Sequence, residues 1–541
     1  MVKISAHGDT ESVAAVANGR TSTSHSRPDL FAMRTLGAVG LVGIVASVFG
    51  VSAGAAGSPS SYVPGRSGGW PGWLSGPLHG LGLGIGSSSF QALTLLMCAG
   101  YAAVLLTARV LPGKAIAVAI VAANLLLLVA PPLISQDVFG YLEFARLGVL
   151  HGLDPYTHVA AEAPTDAVFP FIGWPFQHSP YGPIFTLGTY PLASLGLAGG
   201  LWALKLLALL ASLGAVALTA SAASKMGRSA KVAAVFVGLN PVLLELALGG
   251  AHNDMLVLLV LAGALALAAR TGELSPPRAL AARPGELSPA RVVRGAAKNL
   301  DARTDRRAAD ELEGNARNLR AAAALLVVGV GVKASAGLVL PFVVLAPRAW
   351  RERARVTASA LAALAALALV AIVGFGAHAF GFLGALGEQQ QLIATHSLPA
   401  ETARWVGLSG LPGWWRDLFV AGFLLVLALT LWRTARGADW RAMAGWATLA
   451  LLLSTAWLLP WYAIWALPLA ALADSRRLRT ATLAFCAYAI LIHLPLANPV
   501  LSPARRVAHH RIGSHGRVAD DDGLVFARLQ VTRDTAFDLR G

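Results

Sequence analysis

The sequence predicts an all-α polytopic membrane protein with about eleven to thirteen membrane segments. Three observations carry that prediction. Of 541 residues, 56% are hydrophobic and 13% are charged, where a soluble globular domain carries about 25% charged residues. The mean hydropathy is +0.62. Apolar runs recur at 33–53, 89–111, 114–133, 182–199, 201–222, 231–248, 254–270, 321–345, 356–376, 416–433, 442–459, 461–473 and 480–497. Most approach the roughly 20 residues that cross about 30 Å of hydrocarbon. The net charge of +15 sits mainly in short segments between these runs, where the positive-inside rule places Lys and Arg, so no nucleic-acid partner is expected. Cys98 and Cys486 both lie inside apolar runs, which excludes a disulfide framework or a Cys-based zinc site.

Taken in order, residues 1–32 are polar and are expected to form a disordered cytoplasmic N-terminus, with the run at 33–53 an anchor and not a cleaved signal. Basic clusters at Arg109/Lys114, Lys225/Arg228/Lys231, Arg348/Arg351/Arg353/Arg355, Arg433/Arg436/Arg441 and Arg476/Arg477/Arg479 are assigned to the cytoplasmic side. Segment 134–180 holds Asp137, Glu143, Asp154, Glu162 and Asp166 against Arg146 alone, and is placed outside together with 249–254 and 377–415. This creates a parity problem. Two apolar runs separate the outer segment ending near 180 from the inner cluster at 225–231, so one of them must be re-entrant or interfacial. The run at 321–345 has basic flanks on both sides and Lys333, Ser335 and Gly337 at its middle. It reads as two half-helices that dip in and back out. Residues 271–320, with the near-repeat GELSPPR and GELSPAR, read as a charged cytoplasmic linker, and 498–541 as a disordered tail.

The chemistry concentrates where apolar runs end. Asp137 follows the Pro131/Pro132 break, where a carboxylate can stay ionised beside a lipid-borne substrate and act as a general base; it could equally cap a helix with Ser135. Phe139, Tyr141 and Phe144 suit an interfacial amphipathic helix. Asp154 and Tyr156 in GLDPY form a turn followed by a ring able to stack on a sugar. His178 and Tyr181 lie in WPFQHSPYGP, a site segment or an aromatic belt. Glu245 sits inside an apolar run, where a carboxyl must be neutral, paired or facing a polar cavity. His252, Asn253 and Asp254 open the next helix; a His/Asp pair two apart is a weak metal signature, and helix capping is the alternative. Lys333 could pair with a phosphate or snorkel. His396, Arg404, Trp461 and Tyr462 line a head-group pocket, or serve as loop and interfacial anchors.

The blocks SQDVFGYLEFARLGVLHGLDPY, SPYGPIF, LNPVLLELALGGAHNDMLVLLVLAG, VKASAGLVLPF and PWYAIWALPLAAL resemble the actinobacterial MptB-type polyprenol-phosphomannose-dependent α-1,6-mannosyltransferases. The resemblance covers about residues 33–497 and implies one GT-C membrane domain with interfacial outer-loop helices. It also implies a multi-pass plasma-membrane enzyme with an outward-facing active site. The implied donor is polyprenyl-phosphate mannose, and the acceptor is the growing mannan of lipomannan and lipoarabinomannan. Asp137 matches the family's acidic residue in the first large outer loop, the base of an inverting single displacement. Lys333 and Arg404 are assigned to the departing phosphate, while the His252–Asp254 block matches the family pattern without an assigned step. Gln136 precedes Asp137, so the paired-carboxylate motif of some GT-C enzymes is missing; no cofactor is expected and the sequence does not support a divalent metal. A transporter or lipid flippase, or a GT-C enzyme using another lipid-linked sugar, are the competing readings.

Overall fold

The computed structural model describes residues 27–57, 71–269, 314 and 317–494. The expected N-terminal segment, cytoplasmic linker and tail lie wholly or mostly outside these residues. Among the described residues every regular element is helical, as lipid demands of a chain that must satisfy its own backbone. Five helical stretches are long and apolar enough to cross a membrane: Asp29–Gly57, Ser87–Thr107, Pro183–Lys225, Trp350–His378 and Gly413–Ala435. A bent pair, Ala230–Gly238 and Val242–Leu248, makes a sixth, and four shorter apolar helices accompany them. Several apolar runs are therefore not straight spans but pieces broken at depth.

The stretch Pro183–Lys225 opens with a seven-residue helix, Pro183–Thr189, and a six-residue 3-10 turn, Tyr190–Leu195, both too short to cross. Gly196, at φ +67°, turns the chain into the 30-residue helix Gly196–Lys225, the one piece of this stretch long enough to cross. The run at 321–345 is also broken, as its polar middle suggests. Its helix stops at Val332, Lys333 is extended (φ −155°), and a 3-10 turn Ala334–Val339 leads into Leu340–Leu345.

Small residues set the closest packing. Arg27–Gly57 lies along Ser87–Thr107, and a Cβ added at Gly40 would stand 2.8 Å from the Gly100 carbonyl, and one at Gly100 2.8 Å from that of Gly40. With no hydrophobic drive between helices in lipid, such backbone approach provides the van der Waals gain. Gly100→Val is expected to cost about 1–3 kcal/mol through overpacking, read as a lower unfolding midpoint in detergent. Helix Asp254–Ala268 is buried on nearly every side and packs on Gly196–Lys225. Trp350–Phe375 and Gly413–Ala435 instead leave Leu369, Val373, Leu418 and Leu425 exposed, the pattern of lipid-facing helices.

The bend between Ala230–Gly238 and Val242–Leu248 measures 43° and has a local cause. Pro241 has no N–H to give, and Asn240 Oδ1 takes the Val242 N–H at 3.0 Å. Asn240 Nδ2 then donates to the Tyr101 hydroxyl (3.3 Å), which donates to the Phe236 carbonyl (2.9 Å). Val242–Leu248 is a π-helical turn, a form concentrated at functional sites, and it delivers the chain into Gly249–Gly250–Ala251 just ahead of His252.

Candidate active site

Asp137 is the first residue of helix Asp137–Leu150, where the helix dipole favours a carboxylate. Its N–H donates to Ser135 Oγ at 3.1 Å, so the serine supports the turn beside the Asp137 carboxylate. His252 Nδ1 stands 3.2 Å from Asp137 Oδ2. The imidazole stacks on Trp461, ring centres 3.7 Å apart, and has no exposed surface, whereas the Asp137 side chain keeps 16% of its own. Burial pushes the Asp137 carboxyl up, but the contact with His252, the charge of Lys333 and Ser135 hold it below the usual carboxylate range.

The next two residues reach different partners. Asn253 accepts through Oδ1 from the Tyr141 hydroxyl (3.4 Å) and gives its own N–H to the same oxygen (3.2 Å). It stands at the N-cap position of Asp254–Ala268 but makes no side-chain cap. Asp254 is fully buried and accepts from Lys333 Nζ through both oxygens at 2.9 Å, and from Trp465 Nε1 at 2.8 Å. Helix capping is therefore not what this triplet does. Lys333 Nζ also lies 4.5 Å from the Tyr462 ring centre and 5.6 Å from that of Trp465, a desolvated cation–π setting, and its side chain is 15% exposed. Asp137 and Lys333 are thus the partly open groups, each braced from behind by a buried residue of one tripeptide.

Backbone strain marks the same place. Among the described residues only Ile134 (φ 71°) and Ala251 (φ 52°) carry positive φ without being glycine. One precedes Asp137 by three residues and the other precedes His252, and such strain gathers at functional sites. Leu133 N–H donates to the Gly249 carbonyl at 2.9 Å, tying the two turns together. A Cβ at Gly250 would collide with the His252 ring, and one at Gly249 with the Glu245 carbonyl, so both glycines are sterically required. Gly182 meets the backbone of Gly331 with no room for a side chain, and its N–H donates to the Val332 carbonyl (3.1 Å). This docks Tyr181 beside the site, edge-on to Tyr141 with centres 5.1 Å apart.

Of the residues singled out in the sequence, Asp137, Tyr141, Tyr181, His252, Asn253, Asp254, Lys333, Trp461 and Tyr462 converge, whereas Asp154, Tyr156, His178, Glu245, His396 and Arg404 do not. Tyr156 is buried behind Tyr181, donating to its carbonyl at 2.9 Å and packing on Phe375 at 4.4 Å. Its ring is closed off from a sugar. Asp154 meets His378, and His178 meets Glu388, each at 3.0 Å, joining segments 134–180 and 377–415. Arg404 is held by Glu401 at 2.7 Å and by the Thr395 carbonyl, and His396 also reaches Glu401 at 2.7 Å. Against the upward push of burial, these two bonds hold the Glu401 carboxyl below its ordinary range. Glu245 accepts from Thr94 at 2.9 Å, on the face toward Ser87–Thr107. Trp465 is the contributor that sequence reasoning missed; its signal was the repeated aromatic spacing 461/462/465. Among the described residues no group of three or more His, Cys, Asp or Glu is arranged to hold a metal ion.

The loop helix carries one more titrating group. Asp166 accepts from Arg146 (2.8 Å), His151 (2.7 Å) and the Val168 N–H (2.9 Å). Nearby Glu143 is 1% exposed, and neither of its oxygens has a hydrogen-bond partner among the described residues; burial together with Asp166 pushes its carboxyl up to about 8. A raised carboxyl favours the fold below its unfolded value, and that contribution is lost as pH rises toward 8. Glu143→Leu is expected to raise stability at pH 8 by on the order of 1–3 kcal/mol and to flatten the decline between pH 5 and 8 in thermal unfolding.

Fold and site together define an all-α polytopic membrane protein with a largely buried carboxylate, imidazole and cation cluster. The model for the N-terminal domain of the alpha-(1->6)-mannopyranosyltransferases matches residues 34–349, and that for the MptB C-terminal domain matches 412–512. The chain belongs to the alpha-(1->6)-mannopyranosyltransferase family and is a membrane mannosyltransferase, a glycosyltransferase. It is 27% identical over 423 residues to alpha-(1->6)-mannopyranosyltransferase A of Mycobacterium tuberculosis, covering 72% of each chain. It is 33% identical over 146 residues to a probable alpha-(1->6)-mannopyranosyltransferase of Mycolicibacterium smegmatis, covering 25% of this chain and 26% of the relative. Over 149 residues it is 28% identical to alpha-(1->6)-mannopyranosyltransferase A of Corynebacterium glutamicum, covering 27% and 30%. No solved structure matches the chain.

Proposed function

We propose that this protein transfers mannose from polyprenyl-phosphate mannose to the growing α-1,6-mannan of lipomannan and lipoarabinomannan, on the outer face of the plasma membrane. The observation that supports the reading most strongly is the suspension of Asp137 and Lys333 from His252 and Asp254, two residues apart. In this reading the acceptor's 6-hydroxyl loses its proton to Asp137 as its oxygen bonds the anomeric carbon. The bond from that carbon to the phosphate oxygen breaks, and its electron pair leaves with the lipid phosphate. Attack and departure on opposite faces turn a β-linked donor into an α-linked product. Lys333, held by Asp254 over the Tyr462 ring, faces the charge that develops on the phosphate, the preorganised stabilisation such a reaction needs. Arg404 pairs with Glu401 and the Thr395 carbonyl away from Asp137, so the reading gives this role to Lys333, which lies in the Asp137 cluster. Tyr141 and Tyr181 pack edge-on beside the cluster, and the reading assigns no step to a metal. The outer placement is supported by the acidic balance of 134–180 against the basic clusters at the opposite helix ends.

Purified protein in lipid nanodiscs, given defined polyprenyl-phosphate sugars and a synthetic α-1,6-dimannoside, tests the proposal. The expected result is an α-1,6-linked trimannoside from the mannosyl donor alone. Equal use of a glucosyl or arabinosyl donor, or solute movement without transfer, would overturn it.

A further inference from the structure

We propose that His252 is a positioning residue for the transfer: it keeps Asp137 ionised and aimed at the acceptor without touching either substrate. The inference rests on the reading of Asp137 as the base. Its grounds are geometric. The imidazole has no exposed surface, while the carboxylate in front of it is partly open, so the acceptor meets Asp137 and His252 stands behind. Three features fix the ring: Trp461 covers one face at 3.7 Å, Gly250 lies against its edge where no side chain fits, and the His252 N–H is bonded to the Ala247 carbonyl at 3.1 Å. A ring held this way offers Nδ1 to Asp137 Oδ2 at 3.2 Å, while Nε2 has no hydrogen-bond partner among the described residues. A purely structural buried histidine satisfies both nitrogens within its surroundings. This one directs Nδ1 at the partly open carboxylate.

The other groups around Asp137 leave it dependent on His252. Lys333 contributes positive charge from farther away and is neutralised by Asp254, while Tyr141, Tyr181 and Tyr462 bring no positive charge. Ser135 holds the backbone N–H of Asp137 at 3.1 Å. Removing the imidazole therefore leaves burial, which drives a carboxyl upward, as the leading influence. A base works only when ionised, so the acidic limb of the rate profile must move to higher pH.

The test uses full-length His252→Phe, which keeps a ring against Trp461, and His252→Gln, which keeps a neutral N–H donor, with acceptor kinetics from pH 4 to 9. For His252→Phe the expected result is an acidic limb displaced upward by about one pH unit or more and kcat lowered about 10- to 100-fold at pH 6. KM for the acceptor should change by less than about threefold, since His252 does not touch it. His252→Gln should recover part of both effects. Unfolding midpoints are measured in parallel: activity lost in proportion to folded protein, with a wild-type pH profile, assigns His252 a structural role and overturns the proposal. An inactive Asp137→Asn beside a His252→Phe of wild-type profile overturns this inference alone, whereas an active Asp137→Asn overturns the base assignment and this inference together.

Discussion

Asp137→Asn is expected to lower mannosyl transfer by about 10²- to 10⁴-fold, the range that removal of a general base commands, with little change in acceptor KM. The amide keeps the size of the carboxylate and its place at the start of helix Asp137–Leu150, so folding should be spared and the loss should appear in kcat. The wild-type pH profile provides an independent check. Because His252, Lys333 and Ser135 hold the Asp137 carboxyl below its ordinary value despite burial, the group stays ionised as the medium is acidified. Transfer should persist down to about pH 4, where an unperturbed aspartate would already be half protonated, and fail only below that. Full transfer by membranes carrying Asp137→Asn, or an acidic limb near neutrality, would refute the assignment.

The second large effect is expected at Asp254. Its carboxylate is fully buried and serves both Lys333 and Trp465. Asp254→Asn leaves a half-buried ammonium without its counter-charge, a change that costs about 3–5 kcal/mol in comparable buried pairs. Lys333→Met strands the carboxylate instead and should cost a similar amount. The double variant Asp254→Asn/Lys333→Met removes both charges and is expected to regain most of the stability, since an apolar replacement of a buried pair is often neutral. Activity should not return with it. A stable, inactive double variant separates the structural use of the pair from its use against phosphate charge, whereas a stable and active one would show that Lys333 has no part in transfer.

Much of the site was legible in the sequence because ionisable residues in an apolar setting are costly and so conspicuous. Asp137, Asp254 and Lys333 stand out for that reason, and their convergence agrees with the physical expectation that each needs a partner. The partners themselves were not legible, because Asp254 meets Lys333 and Trp465 across 79 and 211 residues, distances over which local patterns say nothing. Trp465 was missed because an indole beside an apolar run reads as an interfacial anchor; its N–H was needed to complete Asp254. Arg404 was assigned to the phosphate without its partner in view: Glu401, three residues earlier, is placed to meet it on one helix face. Asp154 and His178 were read as substrate contacts because they sit in an outer loop, but they join that loop to the other through His378 and Glu388. The break in the run at Lys333 and the short pieces that precede Gly196 were anticipated from charge parity, a constraint that sequence does carry.

The glycines that press the imidazole into place have a consequence for how this enzyme can vary. Because Gly250 leaves no volume for even one methyl group beside His252, while Ala251 holds a left-handed turn, the tripeptide behind them behaves as a caliper whose jaws are the acid and the ammonium. A caliper tolerates no slack at its pivot. Mutational drift can reshape the surface around Asp137 and Lys333 far more readily than it can alter the span between those jaws.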